Sequence, residues 1–245
     1  PRCPSLPSTM THPPPNQPPF HLDEALPDDL PASPMPTVHQ WLDHATRERV
    51  QPNPNAMTVA TVDPDGRPSA RIVLCKGLDP DHGFITFYTN KDSRKGAALR
   101  ANPHAALILH WDALDRQARI EGPVLHAPDH DADAYFASRH PASRLGAWAS
   151  DQSKPIDSRA DLLAKVMHTV QRLGLDMDPL EQPGKADIPP PPHSAGYPLW
   201  AERVELWVGS PVRIHDRAVW TRTLTQQDEH SYAPETDWAA TRLQP

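Results

Sequence analysis

Cysteine is scarce in this chain: Cys3 and Cys75 are the only two among 245 residues. They form no metal-ligand spacing and cannot build a disulfide framework, which points to a reducing, cytoplasmic setting. No apolar run approaches the roughly 18 residues needed to span a bilayer, and residues 1–20 lack the apolar stretch of a signal peptide. Basic residues are outnumbered, with 24 Lys and Arg against 31 Asp and Glu for a net charge of −7. Without a Lys/Arg block, nothing is available to displace counterions from a nucleic-acid backbone. A Gly-rich phosphate loop, a G-x-S-x-G elbow and an H-E-x-x-H pair are all missing. His126 and His130 have metal-like spacing, but Pro128 lies between them and no third ligand is near, so they read as surface histidines. No metal is expected.

Proline is what the chain has in excess: 32 residues, 12 of them in the first 36 and four in the run Pro189–Pro192. Residues 1–36 therefore read as a solvated leader, too poor in apolar surface to offset its ordering entropy. Residues 37–245 read as one domain, interrupted by a Pro-rich loop over 176–198. Periodicity predicts a helix from Thr37, with Val38, Trp41, Leu42 and Ala45 on one face. Strands over 56–62 and 69–76 flank the turn at 63–66, and further strands fall at 84–89, 105–111, 116–125, 201–208 and 213–223. Helices are predicted over 93–101, 130–139 and 158–173, the second stopping before Pro141 and the third before Gly174. Connections between the strands over 56–125 are too short for parallel crossovers. The expected fold is mainly β with peripheral helices, built as a closed or partly closed antiparallel barrel.

Four segments carry chemistry. Arg71 and Lys76 end an apolar strand, and residues five apart point to opposite faces, so the two should serve different anions unless a bulge intervenes. Tyr88-Thr-Asn-Lys-Asp-Ser-Arg-Lys95 leads into a helix whose first turn carries Arg94 and Lys95. Cations there oppose the helix macrodipole, which makes sense where free N–H groups receive an anion. Tyr135 and Arg139 are four apart on one helical face, with Ser143 just beyond the helix. Phenol, guanidinium and hydroxyl together suit phosphate oxygens. Arg213, His215 and Arg217 alternate along a strand, so they share a face and suit an anionic ligand. Two anion sites are the reading.

With these segments in place, the chain resembles the pyridoxine/pyridoxamine 5′-phosphate oxidase family from about Leu30 to Pro245. The blocks that carry the likeness include RIVLCK at 71–76, FYTN and SRK between 87 and 95, YFASR at 135–139, GAWASDQS at 146–153, VELW at 204–207, RIHDR at 213–217 and RLQP at 242–245. The resemblance implies an FMN-binding split β-barrel, antiparallel and of Greek-key type, paired as a homodimer with FMN contacted by both chains. Carried over by position, Arg71, Ile72, Val73, Leu74, Lys76, Tyr88, Thr89, Arg94, Lys95, Gln117, Gln152, Ser153, Trp207 and Arg217 would hold FMN. Lys76, Tyr135, Arg139, Ser143, Arg213 and His215 would hold the substrate, with Arg213 and His215 at the reacting centre. The implied reaction is oxidation of pyridoxine or pyridoxamine 5′-phosphate to pyridoxal 5′-phosphate, hydride passing to flavin N5 and O2 becoming H2O2. Phenazine-forming relatives tend to lose the lysine and the Tyr/Arg set, and a non-catalytic flavin or pyridoxal-phosphate binder would show damage at Arg213 or His215. The leader shows no clear counterpart of the family's Arg/Tyr lid segment. Ser194-Ala-Gly-Tyr-Pro-Leu199 replaces a usual Trp-Gly-Gly-aromatic-Arg-Val run.

Overall fold

The computed structural model of the chain describes residues 25–175, 188–210 and 213–245. In chain order its elements are α1 (Met35–Arg47), β1 (Ala56–Val62), β2 (Pro68–Leu74), β3 (Gly77–Asp79), β4 (Phe84–Asn90), α2 (Arg94–Ala101), β5 (His104–Trp111) and β6 (Arg116–Pro123). Then follow α3 (Asp129–Ser138), α4 (Pro141–Ala149), α5 (Arg159–Arg172), β7 (Ser194–Trp200), β8 (Arg203–Val208), β9 (Asp216–Thr221), β10 (Leu224–Gln226), β11 (Tyr232–Pro234) and β12 (Ala239–Leu243).

The β1–β2 hairpin turns at Gly66, whose φ of +84° suits a residue without a Cβ. Met57, Val59 and Thr61 alternate inward along β1, as the two-residue period of a strand requires. Seven antiparallel strands form one sheet in the order β12-β9-β8-β6-β5-β1-β2, and β3-β4-β7 form another. Two seams join them. At one, the Lys76 N–H donates to the Thr86 carbonyl at 2.9 Å. At the other, Val124 bridges Leu199 and the Leu125 N–H donates to the Pro198 carbonyl at 3.1 Å. The ring β1-β2-β4-β7-β6-β5 is thereby closed around a core that includes Val59, Ile85, Phe87, Leu107, Leu109, Ile120 and Leu199. Burying each such side chain contributes roughly 1.5–3 kcal/mol. Gly122 permits the second seam, since a Cβ there would lie 1.9 Å from the Trp200 carbonyl oxygen.

Several boundaries differ from the sequence expectation. Helix α1 starts at Met35, because Pro36 sits in its first turn, where a missing N–H costs nothing. Leu26 is buried and its N–H donates to Asp216 Oδ2 at 2.7 Å, so the packed chain begins ahead of residue 37. Pro141, read as a stop, opens α4 as a first-turn proline, with His140 Nδ1 accepting from the Ala142 N–H at 3.3 Å. Residues 176–187 of the expected Pro-rich loop lie outside the described residues, whereas 194–200 form β7. Its pairing with β4 from Phe84↔Trp200 to Asn90↔Ser194 overrides the proline signal. Among the described residues no helix is long and apolar enough to cross a membrane.

Candidate functional site

Strand β2 is cut short at Leu74 because the chain changes partners there. The Cys75 N–H still donates to Asn55 on the β1 side, while the Lys76 N–H donates to Thr86 in β4. This handover breaks the two-residue parity, so Arg71 and Lys76 line the same cavity of about 490 Å³. The expectation that they face opposite ways is corrected by it. Arg94, Lys95, Tyr88, Thr89, Gln152 and Ser153 complete the polar lining with Ser69 and Tyr135, and Ile72, Val73 and Leu74 supply an apolar wall.

Helix α2 delivers two of the cations. Ser93 caps it, its Oγ accepting from the Gly96 N–H at 3.3 Å. Gly96 is required there, since a Cβ would lie 2.1 Å from the Lys91 carbonyl oxygen. Lys95 Nζ is pulled inward to Thr89 Oγ1 at 2.7 Å and Gln152 Oε1 at 3.0 Å. Burial, reinforced by the Arg71 charge, pushes its pKa down to about 8. Arg71 is tied to the β1–β2 hairpin, donating to the Val59 carbonyl at 3.1 Å, Thr61 Oγ1 at 2.8 Å and Ser69 Oγ at 2.9 Å. Arg94 donates through Nε and Nη2 to Asp63 Oδ2 at 3.0 and 2.5 Å. That hydrogen bond also holds the Asp63 carboxyl below its ordinary range.

A second cavity, of about 420 Å³, adjoins the first and shares Tyr88, Thr89, Tyr135 and Gln152 with it. Arg139 and Ser143 line it too, along with Asn90 and His193. The Tyr88 and Tyr135 rings stack at 3.9 Å, and Lys76 Nζ lies 5.8 Å from the Tyr135 ring centroid. Burial raises the pKa of both phenols, so they stay protonated donors. Arg139 does not share a helical face with Tyr135, because α3 ends at Ser138 and Arg139 is extended. It reaches the cavity from the α3–α4 corner, where its Nη2 donates to the Ser143 carbonyl at 3.0 Å. Ser143 lies within the first turn of α4 rather than after a helix.

The remaining candidates line neither cavity. Gln117 on β6 pairs with Trp207 on β8, which pairs with Arg217 on β9. The three make a row across the seven-stranded sheet, on the far side of β1 and β5 from Arg71. Arg213 and His215 precede β9, so they do not alternate with Arg217 along a strand. The reason is local: β8 ends at Val208, opposite Asp216, and the chain beyond must turn. Arg213 takes φ +63° there. His215 folds back to the row, its ring 4.7 Å from that of Trp207, with Nδ1 accepting from the Ser210 N–H at 3.1 Å.

Comparison with known proteins bears directly on this arrangement. Residues 42–172 match the family model described as pyridoxamine 5′-phosphate oxidase. Residues 195–245, which carry Trp207, Arg213, His215 and Arg217, match the pyridoxine 5′-phosphate oxidase C-terminal dimerisation region. A pyridoxine/pyridoxamine 5′-phosphate oxidase of Azorhizobium caulinodans is 46% identical over 213 residues, covering 86% of this chain and 90% of its own. The chain belongs to the pyridoxine/pyridoxamine 5′-phosphate oxidase family. Among solved structures, PhzG from Burkholderia lata, in complex with tetrahydrophenazine-1-carboxylic acid, is 29% identical with a TM-score of 0.73, covering 89% of this chain and 95% of its own. A pyridoxamine 5′-phosphate oxidase-related, FMN binding protein of Nostoc punctiforme shares the fold at 18% identity and a TM-score of 0.63, covering 86% and 97%.

Within this oxidase framework, sequence reasoning missed Asp63, Asn90 and His193. Asp63 reads only as a turn former, and its partner Arg94 lies 31 positions away. His193 sits in what reads as a proline loop; its Nε2 lies 3.0 Å from the Ala147 carbonyl oxygen of α4. A pairing across sheets or between a loop and an unrecognised helix leaves no periodic trace.

Proposed function

We propose that this oxidase binds FMN and converts pyridoxine 5′-phosphate and pyridoxamine 5′-phosphate to pyridoxal 5′-phosphate. The observation that carries the reading is the pair of adjoining cavities, both equipped for phosphate. The first is lined by Arg71, Lys76, Arg94 and Lys95 and, among the described residues, by no carboxylate, Asp63 pairing with Arg94 from outside the lining. Such a donor set fits the phosphate of FMN, and the wall Ile72–Leu74 fits an apolar ring face. Ser153, at φ +73°, and Gln152 complete that pocket. The second cavity brings Tyr135, Arg139 and Ser143 together, with Lys76 at the boundary. Charge-assisted donors and hydroxyls at one point suit a second phosphate, that of the substrate.

FMN, when bound, supplies hydride acceptance at N5 from the substrate C4′ and reoxidation by O2, which gives H2O2. The chain supplies position and charge. Arg213 and His215 orient the pyridine ring and its substituents. Since His215 Nδ1 accepts from the Ser210 N–H, its Nε2 carries the hydrogen and serves as a donor. No strong base is required.

Neither half of the site is complete in one chain. Ile72, at 65% exposure beside the first cavity, and Ile214, at 63% beside His215, are large apolar side chains left in water. A homodimer in which the Trp207–Arg217 row of one chain faces the cavity of the other covers both kinds of surface. The test is turnover of both phosphates by FMN-loaded protein, with peroxide measured, against tetrahydrophenazine-1-carboxylic acid. Peroxide with the phenazine precursor alone overturns the phosphorylated-substrate reading. The gathered Lys76, Tyr135, Arg139 and Ser143 favour the B6 phosphates.

A further inference from the structure

Behind the Trp207 row lies a carboxylate that the proposed reaction does not use. Glu205 on β8 is only 4% exposed. Its Oε1 accepts from Arg217 Nε at 3.0 Å and Nη2 at 2.6 Å, and its Oε2 accepts from Arg119 Nη2 at 2.5 Å. Arg119 stands directly across the ladder from Glu205. Arg217 reaches it diagonally, since its own partner is Trp207. Residues two apart on a strand share a face, so Glu205 and Trp207 lie side by side beneath the same surface. The other arm of Arg217 is held as well, Nη1 donating to the Gln244 carbonyl at 2.9 Å.

Burying a carboxylate beneath two half-buried arginines is a poor device for stability, because apolar packing of similar volume serves as well or better. What it does supply is direction. With Nε and one hydrogen each of Nη1 and Nη2 engaged, the Arg217 guanidinium has a fixed plane, and its remaining hydrogens point away from Glu205 and Gln244. We infer that Glu205 is a positioning residue for the cofactor, holding Arg217 in the orientation that meets the flavin. The inference rests on the proposed reading of Arg217 as a flavin contact. Arg119 balances the second oxygen of the carboxylate and takes no part in that orientation.

The test titrates FMN into the full chain and follows quenching of flavin fluorescence, with the melting temperature recorded in parallel. Glu205→Gln and Arg217→Lys are each expected to raise the FMN Kd about tenfold, equivalent to about 1.4 kcal/mol. The double variant should raise it no further, because residues acting as one unit are non-additive. Arg119→Met removes one partner and leaves Glu205 Oε2 and Glu121 without it, so it should lower the melting temperature while leaving the FMN Kd within about twofold. Should Glu205→Gln fail to fold, Glu205→Gln/Arg119→Gln also removes the guanidinium facing the lost carboxylate, which Glu121 at 3.0 Å pairs only through Nε, and carries the same measurement. A raised Kd in Arg217→Lys beside an unchanged Kd in the Glu205 variant overturns the inference alone. An unchanged Kd in Arg217→Lys overturns the flavin reading of Arg217, and the inference with it.

Discussion

The cavity between β2 and α2 and the row on β6, β8 and β9 both present arginines, but they hold them differently. In the cavity, Arg71, Lys76, Arg94 and Lys95 converge from a short stretch of chain onto one concave space. Among the described residues, Arg94 alone of the four has an ion-pair partner, Asp63. In the row, Arg217 is spent on Glu205 and Gln244, and the surface around Trp207 lines neither of the two cavities. The cavity can attract an anion by itself. The row is an ordered face that lines neither cavity, and on the proposed reading it meets the ligand of an opposing chain. Charge density and geometric order are thus divided between two regions, and the dimerisation match over 195–245 falls on the second.

The largest effect expected from this division is on the cavity side. Removing both α2 cations with Arg94→Ala/Lys95→Ala deletes two charge-assisted bonds of roughly 1.5–3 kcal/mol each. The FMN Kd should rise on the order of a hundredfold or more, read by flavin fluorescence, with turnover restored at high FMN. Retention of tight FMN binding would place the flavin phosphate elsewhere.

Next comes Arg139→Ala, at the second cavity. The KM for pyridoxine 5′-phosphate should rise about ten- to hundredfold while FMN affinity holds. Steady-state kinetics beside an FMN titration decide it, and released flavin with an unchanged KM sinks the two-phosphate assignment.

A smaller effect follows from Lys95, whose pKa burial holds at about 8. A bound phosphate favours the charged lysine, so above about pH 8 the FMN Kd should climb by up to about tenfold per pH unit. Lys95→Arg should flatten that rise. Stability of the FMN-free chain should move the other way. Between about 8 and the ordinary 10.5 the folded chain binds fewer protons at Lys95 than the unfolded chain, so this group's contribution to stability grows with pH.

The smallest signal is also the most direct on the comparison. Arg94→Ala/Lys95→Ala and Trp207→Ala variants, each inactive at limiting FMN, are mixed under conditions that exchange subunits. With a two-fold dimer, about half the dimers are mixed, and each of those carries one intact site of two. About a quarter of wild-type activity should return. No recovery means that cavity and row belong to the same chain's site.

Much of this was legible in the residues alone. Alternation along β1, the 63–66 turn, the start of α2 after strand β4 and the stop of α5 are local, and local sterics and hydrogen bonding set them. The gathering of Arg94 and Lys95 in the first turn of α2 was legible for the same reason, because cations at a helix start are a local anomaly. The chain alone therefore determined strands β1, β2, β4 to β6 and β8, that the fold is antiparallel, and which side chains carry the charge, but not β7, which reads as a proline loop. Only the tertiary structure decided which of those charges meet. Arg71 and Lys76 share a cavity because the chain leaves β1 for β4 at Cys75. Arg139 and Ser143 meet because Pro141 starts a helix. Asp63, Glu205 and Gln244 each find an arginine across a sheet or a seam. Such contacts are set by strand order and barrel closure, which depend on burial summed over the whole core and on no single stretch of sequence.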